Sequence, residues 1–247
     1  MSENIKKNIK AFKVDLDSSK NQIMLKPIAR SFNNQAHQIN EAAEKIHELI
    51  KNAPYSNDNI ILNHNRIKEA FFSPFKPQLK NAQVFLSHSH ADINKALKVK
   101  GYLESKTKHE VFVDSLFWDY KDDVLNELAK YDDTSKIEDA FTLILRESLE
   151  DMIKKCPYFV FLESSNSVSN QGLSHHQDLL KITYSAWIYE ELKIANTLIA
   201  DTTIKESHIK AMRISYDITN LLGRFKPISL DSLCKKIAFN LITKDAK

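Results

Sequence analysis

Hydrophobic residues recur along this chain in two rhythms, and the rhythm changes near residue 81. Upstream, Ile39, Ala42, Ala43, Ile46, Leu49 and Ile50 fall at helical spacing between residues 32 and 51, which predicts an amphipathic helix. Asn52-Ala53-Pro54 closes it, because the residue before a proline is pushed out of the helical region. A shorter helix is expected from about Asn63 to Phe72, with Ile67, Ala70 and Phe71 on one side. Ser73-Pro74-Phe75-Lys76-Pro77 then breaks the chain and marks a boundary. The pattern predicts a helical appendage over residues 1–80, with a core so small that it must pack on the main domain or assist assembly. The main domain is expected over residues 81–247.

From residue 81 short apolar runs alternate with helical patterns. Gln83-Val84-Phe85-Leu86-Ser87, Glu110-Val111-Phe112-Val113-Asp114 and Tyr158-Phe159-Val160-Phe161-Leu162 read as buried parallel strands. Between them, Asp92 can cap a helix carrying Ile93, Leu97 and Leu103. Further helices are predicted over residues 121–129 and 138–154. A polar loop over 163–177 leads to a helix bearing Trp187 and Glu191. A fourth strand is expected over 213–218. A last one at Pro227-Ile228-Ser229-Leu230 feeds a helix that Asp231 can cap. Strands and helices in this alternation give an α/β fold, a parallel sheet of about five strands covered on both faces. Ligands of such sheets bind outside the carboxyl ends of the strands. That edge would gather Ser87-His88-Ser89-His90, Asp114-Ser115-Leu116-Phe117-Trp118 and the segment ahead of Trp187.

Composition narrows the chemistry. The 247 residues hold three glycines, Gly101, Gly172 and Gly223, and none lies in a phosphate-cradling loop pattern. Any nucleotide is held some other way. Cys156 and Cys234 stand far apart in apolar contexts, without the close Cys or His neighbours of a zinc site. They read as reduced thiols of a cytoplasmic protein. His175-His176 in its polar loop is not read as a metal site, and no metal or cofactor is expected. No apolar stretch approaches the roughly 20 residues needed to cross a bilayer. The start, Met1-Ser2-Glu3-Asn4-Ile5-Lys6-Lys7, lacks the apolar core of a secretory signal. Residues 1–80 carry 13 Lys and Arg against 8 Asp and Glu, and the rest 22 against 24. The basic residues upstream are spread out and lack interleaved aromatics, so a solvated helical surface is expected there rather than a nucleic-acid or membrane face.

Trp187 and Glu191, four apart in Ser185-Ala186-Trp187-Ile188-Tyr189-Glu190-Glu191-Leu192, stack on one helix face. Taken alone, the spacing suits a core Trp beside a solvated Glu. At the mouth of a parallel sheet it equally suits a carboxylate that grips a sugar beneath an aromatic wall. Glu190 stands about 100° round the helix, so only one of the two acids shares Trp187's face. Asp114 could order its loop or face a ligand at the strand ends. His88 and His90 could face the same ligand, or His90 could serve a helix start. Phe117 and Trp118 could stack on substrate rings or bury beneath their loop.

Three of these segments, in this order, resemble motifs of bacterial Toll/interleukin-1 receptor (TIR) domains. Val84 to Asp92 resembles the first-strand motif, and Val111-Phe112-Val113-Asp114-Ser115 the second strand running into the BB loop. Ser185-x-Trp187-x-x-x-Glu191 resembles the helix motif that carries the catalytic glutamate of NAD-consuming members. The resemblance covers about residues 81–240. It implies a flavodoxin-like fold and an NAD glycohydrolase or cyclase. Glu191 would be catalytic, and Trp187, Ser87, His88, His90, Asp114, Phe117 and Trp118 would bind the substrate NAD. It further implies ADP-ribose or a cyclic isomer as product, self-association through the domain, and a role in antiphage defence as in Thoeris systems, where a nucleotide signal reaches an effector protein. The chain departs from the family in its His88-Ser89-His90, in a BB loop with neither glycine nor proline, and in extra sequence before the third strand. The competing expectation is a non-catalytic TIR interaction module with Phe117 and Trp118 as anchors. A flavin-binding domain of the same fold is a third.

Overall fold

The computed structural model describes residues 9–25, 36–56, 59–61, 63–72, 81–130, 138–171, 180–199 and 215–242. Its elements run β1 (Lys10–Asp15), α1 (Ser19–Met24), α2 (Ala36–Lys51), β2 (Tyr55–Ser56), β3 (Asn59–Ile60), α3 (His64–Phe72) and β4 (Ala82–Ser87). A 3-10 turn (His90–Asp92) leads to α4 (Ile93–Thr107), β5 (Glu110–Val113), α5 (Ser115–Leu128), α6 (Glu138–Lys155), β6 (Tyr158–Glu163) and β7 (Ser169–Gln171). The chain continues through β8 (Leu180–Thr183), α7 (Ala186–Ile199), β9 (Tyr216–Asp217), α8 (Thr219–Gly223), β10 (Lys226–Pro227) and α9 (Leu230–Ile242). Two compact units result. One takes Met1–Ile28, Ala82–Asp114 and Ile153–Lys247, the other Ala29–Asn81 and Ser115–Met152.

The first unit is built on a five-stranded parallel sheet of order β10-β1-β6-β4-β5. Counted from β4, this is the doubly wound 2-1-3-4-5 order of flavodoxin-like folds, with one substitution. The fourth place is filled from the N-terminal end of the chain by β1. All six β1 residues are in register with β6, from Lys10 beside Tyr158 to Asp15 beside Glu163. The strand expected over 213–218 does not join this sheet. Tyr216–Asp217 instead pairs antiparallel with β8 in a separate three-stranded sheet. The expectation that residues 1–80 form a helical appendage outside the main domain is corrected accordingly: Ala11, Phe12, Val14 and Leu16 are core residues.

Neighbouring strand residues face opposite sides. Phe12 lies beneath the Lys236 ammonium of α9, while Lys13 reaches the Leu222 carbonyl of α8. Ser87, two strands away in the same row as Lys13, faces α7. Thus α9 covers one face, and α7 with α8 the other. On the latter face Phe112, Phe85, Phe159 and Phe225 form a continuous aromatic row, with centroids 5.7, 5.5 and 5.5 Å apart. Such offset and edge-on pairs add to the burial of large apolar area. This row is the floor on which the polar residues of the strand ends stand.

The second unit is helical. Ala43, Ile46, Ile67, Phe71, Phe141, Leu145 and Leu149 are buried, and Phe71 meets Phe141 edge-on at 5.8 Å. His64 pairs with Glu147 and Lys68 with Asp151, both at 2.9 Å, so two distant stretches of sequence form one core. The region read as a BB loop is helix here. With neither glycine nor proline between Ser115 and Asp123 to interrupt it, α5 starts at Ser115, six residues before the expected start.

Candidate functional site

The sheet reverses its winding between β4 and β6, where chain connections leave in opposite directions. The crevice outside the carboxyl ends of these strands is where a doubly wound fold binds ligands. Glu191 of α7 is fully buried there, and the Ser87 hydroxyl at the end of β4 donates to its Oε2 at 2.5 Å. Ser185 sets the helix register. Its hydroxyl accepts the Ile188 amide at 3.2 Å, an N-cap placing Trp187 in the first turn and Glu191 one turn on. Trp187 and Glu190 are half-buried; of the two acids, Glu191 is the one turned inward. About 200° round the helix from Trp187, Tyr189 stacks on Tyr216 with centroids 4.8 Å apart.

His88 follows Ser87 and is also buried. Its Nδ1 lies against Asp114 Oδ1 as an ion-pair contact, and its backbone N–H donates to Asp114 Oδ2 at 3.3 Å. Asp114 thereby closes the ends of β4 and β5 against each other, with its own amide donating to Leu86 at 3.2 Å. The carboxylate packs against the imidazole and fixes its position at the end of β4. Both groups lie beneath the surface, next to the Ser87–Glu191 pair, while His90 stands exposed. Ser87, His88, Asp114 and Glu191 are therefore brought together. Phe117 and Trp118 lie on the first turns of α5, in the other unit. Their side chains fall outside the described residues, as do His175 and His176.

A second polar layer bridges the crevice, and sequence reasoning missed it. Asp92 begins α4, but its carboxylate makes no cap bond. It accepts instead from the Ser164 hydroxyl and, at 3.0 Å, from the Asn166 amide, both beyond the end of β6. Lys95 ties Asp92 at 3.3 Å to Asp17, 3.2 Å away, and Asp17 accepts the Ser165 amide at 2.8 Å. The ends of β1, β4 and β6 are thus laced together. The Ser165 amide foremost, with Lys95, holds the Asp17 carboxyl below the usual carboxylate range against the opposing effect of burial. The signal in the sequence was the run Ser164-Ser165-Asn166-Ser167 just beyond the apolar residues 158–162 and the acid Glu163.

Chemically, the site offers one carboxylate with a fixed hydroxyl donor, a carboxylate-held imidazole, and an aromatic side chain one helical turn from the acid. Among the described residues no group of three or more His, Cys, Asp or Glu could hold a metal ion. No described helix is long and apolar enough to cross a membrane. Against models of protein families, curated proteins and solved structures, the chain shows no match.

Proposed function

We propose that this protein cleaves the bond between nicotinamide and ribose in NAD, as an NAD glycohydrolase or cyclase of the TIR type, with Glu191 as the catalytic residue. The observation that carries the reading is the position of Glu191, a buried carboxylate at the winding reversal of a doubly wound sheet, held by Ser87. Nicotinamide leaves as a neutral molecule from a cationic one, so no general acid is required. One of the two carboxylates of ordinary glycoside hydrolysis is therefore dispensable. The remaining one hydrogen-bonds the ribose hydroxyls and stabilises the positive charge that develops on the sugar, a contribution of several kcal/mol where water is excluded. Trp187 walls the ribose. The His88–Asp114 pair fixes the end of β4, from which Ser87 projects. Shelter from water favours attack by the adenine ring over hydrolysis, which sets a cyclic product against ADP-ribose. In a cell such a product would signal to an effector in antiphage defence, or loss of NAD would itself arrest growth.

One observation favours a second reading. Glu191 has no exposed surface, as expected of an acid that serves the fold alone in a non-catalytic interaction module. Incubating the purified chain with NAD and following nicotinamide separates the two. The enzymatic reading expects release by the wild type and its loss in Glu191→Gln. Equal release by both removes Glu191 from the mechanism. Retained signalling by Glu191→Ala supports the module.

A further inference from the structure

At the opposite end of the same sheet lies a cleft of about 720 Å³, lined at the amino ends of β1 and β10 and along α9. Half of its ten described lining residues are cationic: Lys10, Arg224, Lys226, Lys235 and Lys236, and none of the ten is acidic. The geometry holds these charges together on an aromatic floor. Phe12 and Tyr158 stack with centroids 6.4 Å apart. The Lys236 ammonium sits 5.3 Å over the Phe12 ring and that of Lys10 5.8 Å over the Tyr158 ring. Two ammonium groups are therefore steered onto adjoining rings by cation–π attraction. Lys235 is braced by Asp231 at 2.6 Å. Arg224 anchors one guanidinium nitrogen on the Asn196 carbonyl at 3.4 Å, one of five N–H donors it possesses. At the side of the cleft stands Phe239, 67% exposed, an uncommon state for so large an apolar side chain.

Gathering Lys10, Arg224, Lys226 and Lys236 around one hollow, beside the Asp231-paired Lys235, is repulsive, and an anion relieves the repulsion while gaining several charge-assisted hydrogen bonds. The volume lies within the range of small-molecule pockets, which favours a compact ligand over a polymer. An exposed aromatic beside the cations offers a stacking platform for a flat ring. We infer that this cleft is a second ligand site, distinct from the Glu191 crevice, that binds a nucleoside polyphosphate, its phosphates held by Lys10, Lys226, Lys236 and Arg224 and its base stacked on Phe239.

Calorimetric titration of the full-length chain with ATP, inorganic pyrophosphate and adenosine at fixed moderate salt tests the inference. ATP is expected to bind more tightly than either fragment, and more weakly as salt rises. Lys226→Glu and Lys236→Glu, both on exposed side chains, should each lower ATP affinity at least tenfold with an unchanged circular dichroism spectrum. Phe239→Ala should weaken ATP and leave pyrophosphate as it was. Glu191→Gln should bind ATP like the wild type, so the result stands whether or not NAD is cleaved. The inference is overturned if millimolar ATP produces no binding heat. It is overturned equally if the two Lys→Glu variants bind as before, if Glu191→Gln abolishes binding, or if a single-stranded oligonucleotide binds more tightly than ATP.

Discussion

Removing residues 1–16 should unfold the first unit, not trim an appendage. β1 lies inside the sheet, with β6 on one side and β10 on the other. Phe12 is 2% exposed, and Val14 and Leu16 have no exposed surface. Full burial of such a side chain is worth about 1.5–3 kcal/mol, so these three alone contribute about 5–9 kcal/mol. A whole domain is typically stable by only about 5–15 kcal/mol. The deletion also strips the six-residue ladder from β6 and removes the Asp15 backbone carbonyl that accepts from the Asn21 side-chain amide, whose Oδ1 accepts the Leu230 amide at the start of α9. Urea unfolding followed by far-ultraviolet circular dichroism provides the assay. The truncated chain is expected to lack a cooperative transition. Phe12→Ala, a milder change, should lower stability by about 3–5 kcal/mol. A truncated chain with the wild-type midpoint and slope would refute the placement of β1 in the core.

Ser87→Ala removes the donor to a buried carboxylate. A hydrogen bond to a charged group is worth about 1.5–3 kcal/mol, which at about 2–4 °C per kcal/mol for a chain of this size lowers Tm by roughly 3–12 °C; an unchanged Tm in a thermal melt would show the pair to be immaterial. Asp17 titrates below its ordinary value of 3.8 in the folded state, so its stabilising effect is complete above that pH and is lost as pH falls through the folded value. The urea midpoints of wild type and Asp17→Asn should therefore differ by a constant amount near neutrality and converge in acid; a gap that widens in acid contradicts this. Burial pushes the Cys234 thiol up to about 11, leaving about 0.1% thiolate at pH 8. Peptide mass spectrometry should find iodoacetamide labelling of native Cys234 at least about 100-fold slower than in urea, and comparable rates would show the thiol to be accessible.

The central strands were legible because β4, β5 and β6 are short apolar runs, each with buried neighbours on both faces. β1 was not. Lys10-Ala11-Phe12-Lys13-Val14-Asp15 alternates too briefly, with a lysine at its centre, to be told from an irregular polar segment. Its partners, Tyr158 to Glu163 and Lys226-Pro227, lie well over a hundred residues away. Non-local pairing of this kind leaves no mark in a local window. The same distance hid the role of Asp92. Read locally it is a helix cap, yet Ser164 and Asn166, more than 70 residues on, claim its carboxylate. At the candidate site, the convergence of Ser87 and Asp114 on the Glu191 helix follows from strand order, and their positions at strand ends were readable. The burial of His88 against Asp114 was not readable, because nothing in His88-Ser89-His90 says which imidazole turns inward. The interrupted arrangement of the helical unit also escaped the sequence. Its two stretches join through contacts such as Phe71–Phe141 and His64–Glu147, which no boundary signal near residue 80 announces.

The central claim is that Glu191 cleaves NAD, and its most direct test is nicotinamide release from NAD by the purified full-length chain beside Glu191→Gln, the latter first shown to be folded by an unchanged dichroism spectrum. Release by the wild type, reduced at least about a thousandfold in the variant as expected for loss of the main electrostatic stabiliser, is the predicted result. Equal release by the two folded proteins would contradict it.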